Sequence, residues 1–350
     1  MARAPLSSAG DMGSRRRIRS RLRRRPLSPT LGLFALVLLL GGCGGTSGAH
    51  GFARSRAATL MLDFTPNAVH TGIYAALAQG YAAHAHLRLR VIAPSASSDA
   101  IKLLETGRVS FAILDIHDLA IARERGASIV GVMAIVERPL AAVIAAPQIR
   151  NPRQLEGRTV GVTGDPSDLA VLRSIVAGAG GNPRLVRTVT IGYDAVPALL
   201  SGRVAAATAF WNDEGVTLAH ERPGFHSFLV QRYGAPSYPE LVLCARSSEI
   251  RRHPGLVRTV VRVLVDGYRF TLAHPRRAAA ELEARVPGLD PRLVLEQLAA
   301  ELPAFRGPHG RVGELDMGLL RRWAGWEARF GIVRRPPPTT AMFDPAFLPG

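Results

Sequence analysis

The sequence predicts an α/β protein of two lobes, each a sheet flanked by helices, with the chain crossing twice between them. The length of 350 residues is typical of two domains, and strand-like and helix-like segments alternate along most of the chain. A helix, a glycine and then Arg-Val at the start of a strand occur twice, in residues 103–109 and 199–204. A later apolar run at 241–245 is typical of a strand that returns to the first lobe.

The N-terminal segment has the pattern of a bacterial lipoprotein signal. Residues 15–25 are rich in arginine, and residues 31–40 form an apolar run too short to span a bilayer. Two glycines then precede Cys43, an order that resembles a lipobox, in which the cysteine becomes the lipidated first residue. We predict a signal peptide over 1–42 and attachment to the extracytoplasmic face of the cell membrane. An ordinary signal peptide and a signal anchor are the alternatives.

The segments that follow set the expected boundaries. Residues 43–57 are rich in Gly, Ser and Arg and predict a flexible tether. The first lobe is expected over 58–145 plus 244–350, and the second over 146–243. Apolar runs rich in Ala and β-branched residues predict sheets covered on both faces. The expected strands are 59–62, 87–91, 109–114, 129–136, 141–145, 159–162, 185–191, 204–210 and 241–245. From residue 253 onward the pattern is helical and interrupted by prolines.

Charge and cysteine content argue against several function classes. The net charge of +17 includes nine Arg and one Asp in residues 1–42, so the mature chain carries about +9. Its arginines are scattered and not interleaved with aromatic residues, so we expect no nucleic-acid partner. Besides Cys43 there is only Cys244, in an apolar run, and no zinc-ligand spacing or Cys/His nucleophile pair is present. We expect no metal, no cofactor and a monomer.

A stiff polar loop follows the first predicted strand and offers candidate ligand contacts. It carries an aromatic ring in Phe64, an amide in Asn67 and an imidazole in His70. Pro66 fixes its own φ and pushes Thr65 toward an extended conformation. In open α/β sheets, ligands bind beyond the carboxyl ends of the strands, which is where this loop falls. An ordinary connection with solvated polar residues is the alternative.

The internal repeat relates two further loops. When Gly107 is aligned with Gly202, residues 115–118 correspond to residues 210–214, and each loop lies at the carboxyl end of its strand. Both loops are therefore expected to face the cleft between the lobes, unless the short repeat arose by chance. Asp115 is the candidate in the first loop.

The second loop of this pair contains Trp211, Asn212 and Glu214. Trp211 can stack on a flat ring, and Glu214 can accept hydrogen bonds from amino groups. A core tryptophan and a solvated acid at a helix N-terminus are the alternative interpretation.

Three segments carry a resemblance to a known family. Residues 62–81, LDFTPNAVHTGIYAALAQGY, resemble the opening of ABC-importer substrate-binding proteins similar to thiamine-pyrimidine-precursor binders, with Phe64 where Trp is usual. Residues 210–215 resemble the family's Trp-Asn-x-Glu-Gly element, and residues 233–242 resemble a family segment that includes Tyr238. The resemblance covers roughly residues 59–330. It implies a type II periplasmic-binding-protein fold and a membrane permease as the partner.

The resemblance and the residue types together predict a small aminopyrimidine thiamine precursor as the ligand. Phe64, Trp211 and Tyr238 can supply aromatic faces, and the candidate acceptors are Glu214, Asp115 or Asn67. An aliphatic sulfonate, nitrate or similar small ligand is the alternative, although the candidate loops contain acids and no Arg.

Enzymes that make the thiamine pyrimidine form a second alternative for the family. The resemblance implies a cysteine-rich motif in such enzymes, and this chain lacks one. We therefore expect a binding protein and not an enzyme.

Overall fold

The computed structural model describes residues 56–96, 98–165 and 167–349. The predicted signal peptide, Cys43 and nearly all of the tether lie outside the described residues. Ten strands in two sheets occur in the described part of the chain. They are β1 Arg56–Met61, β2 Leu87–Ile92, β3 Phe111–Asp115, β4 Ile129–Val136, β5 Ala141–Ala145, β6 Thr159–Val162, β7 Arg187–Thr190, β8 Ala206–Phe210, β9 His226–Leu229 and β10 Leu241–Arg246.

Helices connect these strands and cover the two sheets. They are α1 Thr71–Ala78, α2 Tyr81–His84, α3 Asp99–Glu105, α4 Ile116–Glu124, α5 Asp168–Gly178, α6 Ala195–Leu200, α7 Glu214–Glu221, α8 Ser247–Arg252, α9 Pro254–Ala273, α10 Pro275–Glu283, α11 Pro291–Glu301, α12 Met317–Arg329 and α13 Thr339–Met342. Three of the later helices begin with a proline, which suits the first helical turn because its missing N–H has no partner there. None of the helices in the described ranges is long and apolar enough to cross a membrane.

The two sheets share one topology. The first has the order β2-β1-β3-β10-β4 and the second the order β7-β6-β8-β5-β9. In each sheet the strand that follows a crossing, β10 or β5, inserts antiparallel between its neighbours. The remaining pairs, of β1 with β2 and β3 and of β6 with β7 and β8, are parallel. The structure therefore confirms the predicted two-lobe α/β architecture with two crossings.

Both crossings come earlier in the chain than the sequence analysis placed them. β5 pairs with β8 and β9, so residues 141–145 belong to the second lobe and not to the first. β10 pairs with β3 and β4 from its first residue, so residues 241–243 belong to the first lobe. A fully buried strand has no polar face that marks which sheet it joins, and hydrophobicity alone could not locate the crossings.

Helices α1 and α9 pack closely enough that only glycine fits at their crossing. A Cβ added to Gly267 would lie 2.0 Å from the carbonyl oxygen of Gly72, and one added to Gly72 would lie 2.4 Å from the ring of Tyr268. The hydroxyl of Tyr268 donates to the carbonyl of Val69 at 2.9 Å. This contact fixes the loop after β1 against the long helix α9.

We expect Gly267→Ala to lower the free energy of unfolding by about 1–3 kcal/mol, because the added methyl group overpacks the contact between α1 and α9. Urea unfolding of the purified domain measures the change. Gly325→Ala in α12 is the matched control, since a Cβ there meets nothing within 4 Å. The control should be neutral, or more stable by up to about 1 kcal/mol. Equal stability of Gly267→Ala and the wild type would contradict the close approach of the two helices.

Candidate functional site

A cavity lies between the two lobes, at the carboxyl ends of strands from both sheets. First-lobe residues such as Phe64 and Asp118 line one side, and second-lobe residues such as Tyr193 and Glu214 line the other. The cavity volume of about 90 Å³ is several times the roughly 10–15 Å³ that one water molecule needs on the same measure. The site therefore suits a small molecule that touches both lobes.

The cavity wall is acidic. Among its described lining residues are six with carboxyl side chains and none that is Arg or Lys. The six are Asp63, Asp115, Asp118, Asp165, Asp168 and Glu214. Such a wall attracts cations and amino groups and repels anions.

One of these acids is saturated by hydrogen bonds from its own lobe. Asp168, at the start of α5, accepts from the Thr163 hydroxyl at 2.7 Å and the Gly164 N–H at 2.9 Å with one oxygen. Its other oxygen accepts from the Thr208 hydroxyl at 2.8 Å. Asp168 therefore fixes the turn between β6 and α5, and little of its acceptor capacity remains for a ligand.

Two acids, one from each lobe, are less completely bonded. Asp118 in α4 accepts from the Ser167 N–H across the cleft at 3.1 Å. Glu214, the first residue of α7, accepts from the Phe210 N–H at 3.0 Å and from no side chain in the described part of the chain. Burial, reinforced by neighbouring carboxylates, raises the pKa of each to about 8. Both groups are therefore able to exchange a proton near neutral pH.

An aromatic pair closes one side of the cavity. The rings of Phe64 and Tyr193 belong to opposite lobes and meet edge to face, with centroids 4.4 Å apart. The hydroxyl of Tyr193 is buried and has no hydrogen-bond partner within the described ranges. Burial is also the main reason that the pKa of Tyr193 is raised, so the phenol stays protonated and can donate to a ligand.

The structure brings three of the eight predicted site residues to the cavity. Phe64, Asp115 and Glu214 line it. The other five do not contact it and have structural partners instead. They are Asn67, His70, Trp211, Asn212 and Tyr238.

Two of these five fasten the loop after β1. His70 is fully buried, and its ring nitrogens contact the Asn67 N–H at 3.1 Å and the Asp63 carboxylate at 3.0 Å. The Asn67 side chain donates to Asp213 of the second lobe at 2.5 Å. Both residues therefore hold the loop in place, and Asn67 also connects the lobes through Asp213.

Trp211 and Asn212 lie in the loop after β8 and contact residues outside the cavity. The indole N–H of Trp211 donates to the carbonyl of Pro139 at 3.1 Å, and its ring lies on an outer groove, away from the cavity. Asn212 is buried and contacts Glu301 of the first lobe. Neighbouring positions in one loop thus point in different directions, and of the three predicted site residues in this loop only Glu214 lines the cavity.

Tyr238, the fifth, belongs to a buried network around His117. Its hydroxyl contacts one ring nitrogen of His117 at 3.0 Å, and the other nitrogen pairs with Glu327. Burial alone would lower the pKa of His117, but the surrounding carboxylates, led by Glu327, raise it to about 10. Donor atoms of Asp115, His117 and Glu240 lie within 4.8 Å of one another. Since both nitrogens of His117 have partners, we assign an ion-pair network here and not a metal site.

Several residues that line the cavity are not among the eight predicted site residues, although loop 115–118, which includes Asp118, was expected to face the cleft. Asp118, Thr163, Asp168, Tyr193 and Thr208 line the cavity with the three predicted residues. The first four lie at or just beyond the carboxyl end of a strand, the same signal that identified Phe64. Thr208 lies inside β8 and carries no sequence signal of a site.

The family model described as NMT1/THI5 like matches residues 67–278, more than half of the chain. The chain belongs to the NMT1/THI5-like family. The predicted relationship to thiamine-pyrimidine-precursor proteins is therefore confirmed.

Relatives in this family have two kinds of name. A formylaminopyrimidine-binding protein of Halalkalibacterium halodurans is 30% identical over 304 residues, covering 85% of this chain and 92% of that protein. A 4-amino-5-hydroxymethyl-2-methylpyrimidine phosphate synthase of Legionella pneumophila is 22% identical over 252 residues, covering 71% and 79%. The NMT1/THI5-like family thus includes relatives named as binding proteins and relatives named as enzymes.

Solved structures support the predicted fold. The alkanesulfonate-binding protein of Xanthomonas axonopodis pv. citri, bound to MOPS, superposes with a TM-score of 0.66 at 13% identity, over 83% of this chain and 99% of that one. At this identity the likeness shows the fold alone. The predicted periplasmic-binding-protein fold is confirmed for this NMT1/THI5-like chain.

The raised pKa of Glu214 predicts a pH-dependent stability. Between its ordinary value of 4.5 and about 8, the unfolded chain releases this proton and the folded protein keeps it. The stability present below about pH 4.5 is therefore lost progressively as the pH rises toward 8. Glu214→Gln cannot ionise, so it should melt close to the wild type near pH 4.5 and a few degrees higher near pH 8.

Thermal melts across this pH range measure the difference. Glu221→Gln is the matched control, because Glu221 is exposed at the end of the same helix. Its melting temperature should follow that of the wild type at every pH. Parallel curves for Glu214→Gln and the wild type would show that Glu214 ionises freely in the folded protein.

Proposed function

We propose that this chain is the substrate-binding component of an ABC importer and captures a small aminopyrimidine, a thiamine precursor, between its lobes. One observation carries the proposal: the interlobe cavity combines aromatic rings with carboxyl groups and has no Arg or Lys among its described lining residues. A flat heteroaromatic ring requires aromatic faces, and its exocyclic amine requires acceptors. The 30% identical relative is named for binding a formylaminopyrimidine, which supports the same ligand class.

The contacts that we propose for the ligand differ in part from those expected from the sequence. Phe64 and Tyr193 provide the aromatic faces, in place of Trp211 and Tyr238. Glu214 and Asp115 remain the proposed acceptors. Because the cavity wall comes from both lobes, a bound ligand contacts both and favours the closed state over an open one.

An anionic ligand is the weaker candidate. The fold neighbours include alkanesulfonate-binding proteins, but their low identity extends to the fold only. A sulfonate or nitrate needs Arg or clustered N–H donors, and this wall presents carboxyl groups instead. Charge repulsion therefore favours the pyrimidine.

We further propose binding without catalysis. Relatives named as synthases share the family, so family membership alone does not decide the question. The thiol of Cys244 is fully buried in β10, does not line the cavity, and has a pKa raised by burial, all of which suit an inert core residue. A pyrimidine recovered unchanged after long incubation would support the proposal, and turnover would contradict it.

Isothermal titration of the mature domain tests the proposed ligand. We expect an aminopyrimidine to bind and an alkanesulfonate or nitrate not to bind. Above pH 8, where Glu214 is ionised, Glu214→Gln should weaken pyrimidine binding by about tenfold or more, because a hydrogen bond to a charged group contributes roughly 1.5–3 kcal/mol. Glu221→Gln, in the same helix, should bind like the wild type. Binding of sulfonate without pyrimidine, or equal affinity in Glu214→Gln, would remove the assignment.

Attachment to the membrane is a separate part of the proposal. The order of basic, apolar and Gly-Gly-Cys segments in residues 15–43 suggests that Cys43 is lipidated, so the protein would remain near a permease as a tethered monomer. Mass spectrometry of the mature protein from membranes should show an acylated N-terminal Cys43. Cys43→Ser should abolish the acylated form and leave the fold intact. A wild-type mature chain that begins at another residue would contradict the prediction.

A further inference from the structure

We infer that the ligand binds as a cation, a pyrimidine that carries a primary ammonium arm, held by Asp118 of the first lobe and Glu214 of the second. This inference rests on the proposed function and specifies which member of the aminopyrimidine class the cavity accepts. It assigns Asp118, which lies in the loop 115–118 that the sequence analysis expected to face the cleft, as a specificity-determining residue.

The hydrogen bonds around the cavity leave these two acids as the main acceptors. Asp168 is saturated by donors from its own lobe. Asp63 pairs with His70, and Asp165 accepts the Thr163 hydroxyl at 3.1 Å. Asp115 accepts the His117 N–H and also interacts with the Glu240 side chain in the buried network around His117.

Asp118 and Glu214 are both buried, and both line the cavity. Within the described ranges, each receives only backbone N–H donors. Their remaining acceptor capacity is therefore available to a molecule between the lobes.

The charge of the ligand follows from this pair. An ammonium group donates three hydrogen bonds, and its positive charge favours the ionised form of the two carboxyl groups, which burial alone disfavours. A formylated arm is neutral, offers one N–H, and adds a carbonyl oxygen that repels the acceptors. A phosphate ester is an anion and would face the acidic wall directly. The expected order of affinity is therefore ammonium, then formamide, then phosphate ester.

Binding of the ligand by Asp118 and Glu214 also favours the closed state of the two lobes. Asp118 already accepts the Ser167 N–H from the opposite lobe at 3.1 Å. An ammonium group that also reaches Glu214 adds a second link between the lobes. A ligand without this arm makes fewer contacts across the cleft and favours the closed state less.

Competition among four ligands tests the inference. The probes are 4-amino-2-methylpyrimidines with aminomethyl, formylaminomethyl, hydroxymethyl or phosphorylated hydroxymethyl groups at position 5, titrated calorimetrically into the wild-type domain. We expect the aminomethyl compound to bind at least about tenfold more tightly than the formylaminomethyl compound, and the phosphate ester not to bind. Asp118→Asn and Glu214→Gln should each reduce the preference for the amine severalfold and change hydroxymethylpyrimidine binding less.

Matched controls use exposed acids on the same two helices. Glu124→Gln at the end of α4 and Glu221→Gln at the end of α7 should keep the wild-type preference. Equal or tighter binding of the formylated compound overturns the inference and leaves the proposed function intact. An unchanged preference in Asp118→Asn overturns the assignment of that residue. Failure of all four pyrimidines to bind would instead overturn the proposed function.

Discussion

A buried carboxylate holds together the two places where the chain passes between the lobes. Glu240 lies directly before β10 on the second crossing, and its side chain accepts the N–H groups of Leu140 and Ala141 on the first. Charges in such a position are costly unless they are paired, and breaking a buried pair typically costs about 3–5 kcal/mol. His117 supplies the positive charge, and Glu327 of α12 holds the imidazolium from its other side. This electrostatic network therefore fixes the two crossing segments relative to each other.

This network also reaches the ligand cavity. Asp115 ends β3, lines the cavity and lies among the charges that raise the pKa of His117. On the other side of the cleft, Asp213 accepts hydrogen bonds from Asn67 and Gln297 of the first lobe. These hydrogen bonds join the two lobes directly. A ligand between the lobes shifts the populations of the open and closed states only as far as its affinity differs between them.

The sequence could predict the fold because its signals are local and repeated. Alternating apolar segments, glycine-terminated helices and an internal repeat can each be recognised from a few neighbouring residues. The structure has the two sheets of the same topology that these signals predict. The crossings could not be located, because Ala141–Ala145 is apolar on both faces and the pattern does not distinguish one buried sheet from another. Partners distant in sequence, such as β5 with β9, decide that choice.

The candidate site shows the same limit at the level of side chains. Phe64, Asp115 and Glu214 were selected because they lie at the end of a strand, and all three line the cavity. Trp211 and Tyr238 do not line the cavity, and residue type alone could not predict this, because an aromatic side chain suits a hinge or a core as well as a ligand. Direction depends on the partner that the polar atom finds, which for Trp211 is the carbonyl of Pro139. No local pattern encodes that contact.

The net charge of the chain does not predict the charge of the ligand, because surface charges act over short distances only. The sequence has a pI near 11.3, yet six acids and no described Arg or Lys line the cavity. Charges on the surface are screened over roughly 8–10 Å in physiological salt, whereas buried groups are screened much less. A molecule between Asp118 and Glu214 is therefore governed by the nearby carboxyl groups and only weakly by the scattered arginines. A basic protein can in this way select a cationic ligand.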